Sequence, residues 1–154
     1  MSARKGDLSK VKEYIDKGFD INYTRDKAGN TPLCSAILNG HKDIVSYLLD
    51  IGAKPNVSDR FDTPLGYACN GNHKDIVELL LKHDANINKP NDLFNETPLL
   101  IASEKGYADI VELLLKEGAY PYIRDNMNHT PLDIALRKNY TKIADLLKKY
   151  GAKE

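Results

Sequence analysis

The sequence predicts an all-α fold, a solenoid of five helix-turn-helix units joined by hairpin loops. Three observations carry this. The tripeptide Thr-Pro-Leu begins at Thr31, Thr63, Thr97 and Thr130, at spacings of 32, 34 and 33 residues. Each copy is followed at fixed offsets by a ring (His41, His73, Tyr107, Tyr140), by an isoleucine (Ile44, Ile76, Ile110, Ile143) and by a turn residue before Ala (Gly52, Asp84, Gly118, Gly151). The second half of each block, for example Ile44, Val45, Leu48 and Leu49, has the apolar spacing of an amphipathic helix. A period near 33 residues marks stacked repeats. Upstream, residues 3–22 fit the second half of the template, with Gly6 and Gly18 in place. The units run at about 1–29, 30–61, 62–95, 96–128 and 129–154, within one domain over 1–154.

Each element has a local cause. Thr suits the N-cap, because its hydroxyl accepts from a free N–H of the first turn. Pro suits the first helical position, where no N–H is needed. A short helix follows, from Pro32 to Asn39 in the second unit. Gly6, Gly40 and Gly106 stand where the chain turns back, and Asn72 and Asn139 replace glycine there. Asn tolerates left-handed geometry better than most residues. A second helix then runs, for example from Ile44 to Asp50, and Gly52, Gly118 and Gly151 end it. Asp84 departs from that pattern. The remaining stretch, rich in Asn, Asp and Lys, is expected to form an extended loop or hairpin. In the first unit the leading helix has only about five residues, Met1 to Lys5.

The pattern T-P-L-x-x-A followed by G-H-x-x-I-V-x-x-L-L-x-x-G-A resembles the ankyrin repeat family. That family usually has His directly after T-P-L, where it ties neighbouring units together. Cys34, Gly66, Leu100 and Asp133 stand there instead, and the resemblance then implies a less regular, less stable array. It also implies a concave face, with hairpin tips as fingers and first helices as a palm.

One pair of short helices cannot bury its apolar face alone, so the ends of a stack need polar outer faces. At the first apolar position of the second helix the units carry Lys10, Ile44, Ile76, Ile110 and Ile143. Five residues on they carry Ile15, Leu49, Leu81, Leu115 and Lys148. That offset is about 140° around a helix, so the two positions face different neighbours. Ile44, Ile76, Ile110, Leu49, Leu81 and Leu115 are expected to be almost fully buried between units. Lys10 and Lys148 are expected to be exposed and to mark the ends of a five-unit array.

Lys plus Arg and Asp plus Glu both number 22, so the net charge is zero, without the basic excess of a phosphate-backbone binder. Apolar runs reach about five residues, against the roughly 20 needed to span a bilayer. No apolar stretch follows the first charges, so no signal peptide is read. Cys34 and Cys69 do not make a disulfide framework, which points to a reducing, cytoplasmic compartment, with secretion into a host cell left open. His-Lys-Asp at His41 and at His73 recurs with the repeat and reads as scaffold. Cys34 with His41 could be a thiol–imidazole pair, but both cysteines read better as small packed residues. The four histidines show no ligand spacing, and no phosphate-cradling glycine motif is present. No catalytic residue, metal or cofactor is therefore expected. Five Asn-x-Ser/Thr sites, at Asn22, Asn56, Asn95, Asn128 and Asn139, read as repeat chemistry rather than glycosylation.

The surface is left to carry function. Scaffold positions repeat, whereas contact positions need not. The units differ most at four tips, residues 24–27, 58–61, 91–94 and 125–128, and at the ends of the first helices. From these we take Arg25, Lys27, Leu38, Asn39, Arg60, Phe61, Asn70, Leu93, Phe94, Glu104, Lys105, Asn126, Met127 and Arg137 as candidate partner contacts. Phe61, Leu93 and Phe94 are expected to form one apolar patch between neighbouring tips. The sequence thus points to a non-catalytic, monomeric module that binds another protein, with neither nucleic acid nor membrane as partner. The alternative is a regulatory or targeting domain of a larger enzyme or effector.

Overall fold

A computed structural model of the chain describes residues 2–23, 30–59 and 61–153. Among them are one 3₁₀ turn, Ala3–Lys5, and nine α-helices. These are α1 (Leu8–Asp16), α2 (Pro32–Leu38), α3 (Lys42–Asp50), α4 (Pro64–Asn70), α5 (Lys74–Lys82), α6 (Pro98–Lys105), α7 (Ala108–Lys116), α8 (Pro131–Arg137) and α9 (Thr141–Lys149). The first helix of the first unit is thus a single 3₁₀ turn, too short for i→i−4 bonds to propagate. The second helices begin earlier than the apolar pattern suggests: α3 starts at Lys42, not Ile44.

The predicted caps are present. Thr31, Thr63, Thr97 and Thr130 each accept, through Oγ1, the N–H three residues on, at 3.1, 2.9, 3.3 and 3.1 Å. Pro follows each at the start of its helix. Asp133, where the family has His, returns the bond by accepting Thr130 N–H at 2.8 Å and so closes a capping box.

The helices form two layers. The 3₁₀ turn, α2, α4, α6 and α8 line up in an inner layer, and α1, α3, α5, α7 and α9 in an outer one, with α2, α4, α6 and α8 each packed on the outer helix of its unit. Ile44, Ile76, Ile110 and Ile143 are buried between units, as are Leu49 and Leu115. Leu81 is only partly buried, contrary to expectation. Helices α5 and α7 touch over less of their length than α3 and α5 do, which leaves it partly open. Lys10 and Lys148 are exposed.

The rings at the start of the outer helices explain the turn glycines. Gly40 has φ +68°, and a Cβ there would meet His73 Cε1 at 2.9 Å. Gly106 stands in the same relation to Tyr140, and Gly6 to His41. Each ring therefore packs on the bare backbone of the unit before it, and glycine supplies both the left-handed turn and the room. His41 Nε2 also lies 3.1 Å from Arg4 O. These histidines are scaffold.

Other bonds tie units where the family's His is missing. Asn22, Asn56 and Asn88 accept, through Oδ1, the backbone N–H groups of Lys54, Asn86 and Tyr120 in the next unit, at 3.0, 2.7 and 2.8 Å. Asn95, Asn128 and Asn139 have φ of 56°, 67° and 58°. Every Asn of the five glycosylation-type triplets therefore has a structural role, either accepting across units or making a left-handed turn.

Candidate functional site

The tips are built inward from a buried acceptor. Asp59, Asn91 and Asp125 are 5%, 5% and 8% exposed, although they lie in tips that the sequence alone places in solvent. Asp59 Oδ1 accepts from Phe61 N–H at 2.8 Å and Asp62 N–H at 3.0 Å. Asn91 Oδ1 accepts from Phe94 N–H at 2.9 Å and Glu96 N–H at 3.3 Å. Asp125 Oδ1 accepts from Met127 N–H at 2.9 Å and His129 N–H at 2.8 Å. A side chain that satisfies the turn's N–H groups leaves the residues beyond it facing outward. No strand forms at the tips among the described residues.

Phe61, Leu93 and Phe94 are those outward residues, 50%, 46% and 59% exposed. They line one groove of about 270 Å³ between the second and third tips, with Asn70, Glu104 and Lys105 from the ends of α4 and α6. The structure thus brings six of the predicted contact residues together. It adds Asp62, Tyr67, Asn91, Glu96 and Ile101, which sequence reading passed over. A signal for two of them was present. The position before Thr-Pro-Leu reads Asn30, Asp62, Glu96 and His129, so it varies between units as a contact position would.

Leu38, Asn39, Asn126, Met127 and Arg137 do not line this groove. Asn39 Nδ2 donates to Ser35 O at 2.8 Å within its own helix turn. Asn126 is a strut: its backbone N–H donates to Phe94 O at 2.9 Å and its side chain to Leu93 O at 3.1 Å. Arg137 Nη1 donates to His129 Nε2 at 3.1 Å. Met127 is 70% exposed on the fourth tip, and Leu38 is 47% exposed at the end of α2. Arg25, Lys27 and Arg60 lie outside the described residues.

The floor of the groove is acidic. Asp62 Oδ1 accepts Thr63 N–H at 2.7 Å and sits over the first turn of α4. Gly66 makes this possible, since a Cβ there would stand 2.0 Å from Asp62 Oδ1. Burial pushes the Asp62 carboxyl up to about 7, and the nearby Glu96 and Asp59 carboxylates push the same way. Burial also raises Glu96, with Glu104 and Asp125 adding to it, against an Asn91 hydrogen bond that lowers it. Tyr67 OH donates to Asp59 at 2.7–2.8 Å, and burial and that bond raise the phenol. Glu104 is paired with Lys138 Nζ at 3.3 Å.

A larger hollow of about 420 Å³ lies by the first unit, lined by Val11, Tyr14, Phe19 and Pro32 among others. Cys34 and Cys69 are fully buried, and burial raises both thiols, which disfavours the reactive thiolate. Among the described residues, no three of His, Cys, Asp and Glu are grouped to hold a metal ion. No described helix is long and apolar enough to cross a membrane.

The family model for ankyrin repeats (3 copies) matches residues 1–91 and again 89–154. The chain belongs to the ankyrin repeat family. Similar proteins include the 2-5A-dependent ribonuclease of Mus musculus, 42% identical over 55 residues, or 36% of this chain and 8% of that protein. Serine/threonine-protein kinase 12 of Arabidopsis thaliana is 44% identical over 59 residues, 38% of this chain and 13% of the kinase. Ankyrin repeat domain-containing protein 7 of Homo sapiens is 46% identical over 50 residues, 32% of this chain and 19% of that protein. The ankyrin chain thus spans less than a fifth of the length of each of these relatives. Ankyrin repeats are in general protein-interaction modules.

Proposed function

We propose that this protein is a non-catalytic module that binds a partner protein through its concave face and hairpin tips, centred on the groove between the second and third tips. The observation that carries this reading is the placement of Phe61, Leu93 and Phe94, all half-exposed, around one groove. Aromatic anchors grouped at a concavity are the residues that dominate interface energies. Leu38, Asn39, Asn70, Glu104, Lys105, Asn126, Met127 and Arg137 supply the surrounding contacts, together with Arg25, Lys27 and Arg60. In this reading the protein is a cytoplasmic monomer. Its free thiols, buried as Cys34 and Cys69, suit a reducing compartment.

The test is affinity capture with the full chain and with its F61A/L93A/F94A variant. We expect the wild type to retain a specific protein and the variant to lose it, since truncating central anchors costs about 2 kcal/mol or more. The far-UV CD and melting temperature should stay nearly unchanged, because these side chains lie outside the core. Equal capture by both forms would refute the reading, and a large fall in melting temperature would make the three residues scaffold.

A second reading has an observation in its favour: two of the relatives are named as a ribonuclease and a kinase. The ankyrin array would then regulate or target a larger enzyme or effector. A longer transcript that joins this reading frame to a catalytic domain would support it, and a transcript that ends with the frame would not.

A further inference from the structure

The groove sets a condition on what can fill it. A partner segment that fills the hollow among Phe61, Leu93 and Phe94 meets Asp62 and Glu96, because all five line it. The other carboxylates near it are already engaged. Asp59 is buried under the second tip and takes two backbone N–H groups and Tyr67 OH. Glu104 is paired with Lys138. Among the described residues Asp62 and Glu96 have lesser partners: Asp62 accepts from its neighbour Thr63 N–H, and Glu96 Oε2 accepts a long bond, 3.3 Å, from Asn91 Nδ2. Among the described residues neither forms an ion pair. Lys105 is the one lysine lining the groove; it is exposed, and its charge favours ionised Glu96 less than the Glu104 and Asp125 carboxylates oppose it.

Removing water from a carboxylate without supplying a charge or a donor is strongly unfavourable. Partial burial already holds both groups above the usual carboxylate range. A purely apolar segment would deepen that penalty, and an acidic one would add repulsion. A segment with a cation beside its apolar anchor would relieve it. Discrimination of this kind works chiefly by leaving the wrong partner's contacts unpaired.

We propose that the groove takes a partner segment in which an aromatic or leucine side chain, seated among Phe61, Leu93 and Phe94, stands next to an arginine or lysine that pairs with Asp62 and Glu96. This rests on the protein-binding reading above and names the chemistry of its partner. Arginine suits the site better than lysine, since its planar fork can reach two acceptors at once.

The experiment is panning of a random phage-displayed peptide library on the full chain, on its D62N/E96Q variant and on F61A/L93A/F94A, at a pH near 8. On the wild type we expect enriched peptides with an aromatic or Leu adjacent to Arg or Lys. A synthetic peptide of that consensus should bind D62N/E96Q at least about tenfold more weakly, while D62N/E96Q keeps its wild-type CD spectrum. A single E96Q variant should show part of the loss, and guards against any change that D62N makes at the α4 terminus. A neutral or acidic consensus on the wild type, lost on F61A/L93A/F94A, overturns this inference and leaves the protein-binding reading standing. The same basic consensus on D62N/E96Q, at wild-type affinity, also overturns it. No enrichment on the wild type, or identical enrichment on F61A/L93A/F94A, overturns the inference and the proposed binding site together.

Discussion

Asp62 makes the stability of the array depend on pH, in a direction opposite to that of a salt-bridged carboxylate. Its folded-state pKa is raised from 3.8 to about 7, chiefly by burial. Below about pH 4 the group is protonated in both states and contributes no difference. Between about 4 and 7 the folded chain holds a proton that the unfolded chain has lost, so stability falls as pH rises. Above about 7 both states are ionised and the full penalty persists. The limiting slope is about 1.4 kcal/mol per pH unit, which over this interval gives a ceiling of about 4 kcal/mol. Asp62 is only partly buried, so solvent screens it, and we expect about 1–2 kcal/mol. Asp62→Asn removes the titration and keeps an oxygen for Thr63 N–H. Urea and thermal melts of both forms, followed by CD from pH 4.5 to 8, give the readout. The melting temperature of D62N relative to wild type should climb with pH, by about 2–8 °C in total, and level off above pH 7. A difference between the two forms that stays flat from pH 4.5 to 8 would refute the reasoning, because Asp62 would then ionise like a solvated carboxyl.

Further substitutions test the packing around the groove and along the stack. Gly66→Ala should expel the Asp62 carboxylate into solvent, because the new Cβ would stand 2.0 Å from its Oδ1; we expect the pH-dependence ascribed to Asp62 to vanish and helix propensity to add up to about 1 kcal/mol, read from the same melts. Asn56→Ala removes a bond accepted from Asn86 N–H at 2.7 Å and one donated to Asp84 O at 2.9 Å, so this exposed residue should cost about 1–2 kcal/mol in urea unfolding, where an ordinary surface change costs little. Gly40→Ala and Gly118→Ala both force alanine into a left-handed turn, at about 1 kcal/mol, but only Gly40 has the ring of His73 against it. Gly40→Ala should therefore lower the melting temperature more, and equal losses would mean that the ring contact is unimportant.

Much of this protein is decided within a few residues of chain, and that part is legible in the sequence. The Thr caps bond three residues along, proline presets the first turn, and Gly or Asn takes the left-handed corner. All of these repeat with the period, so one argument serves four units. The outward and inward faces of the outer helices follow from 3.6 residues per turn, which is why Lys10 and Lys148 fall where the pattern places them, while Leu81, at a looser junction, does not.

What the tertiary structure alone decides is which residues of different units meet. Asn22 finds Lys54, and Asn56 finds Asn86, across 32 and 30 positions, with no local signal beyond a recurring Asn. Polar residues of a tip read as exposed, yet Asp59, Asn91 and Asp125 turn inward to satisfy the backbone of the turn. The apolar trio at the second and third tips stands out in the sequence by its side chains. Its acidic floor is marked in the sequence only by the varying residue before Thr-Pro-Leu, and the burial that raises Asp62 and Glu96 shows only in the fold. Gly66 reads in the sequence as a missing histidine. In the fold it is the space that lets a carboxylate lie over the start of α4, and so it helps set the charge of the groove.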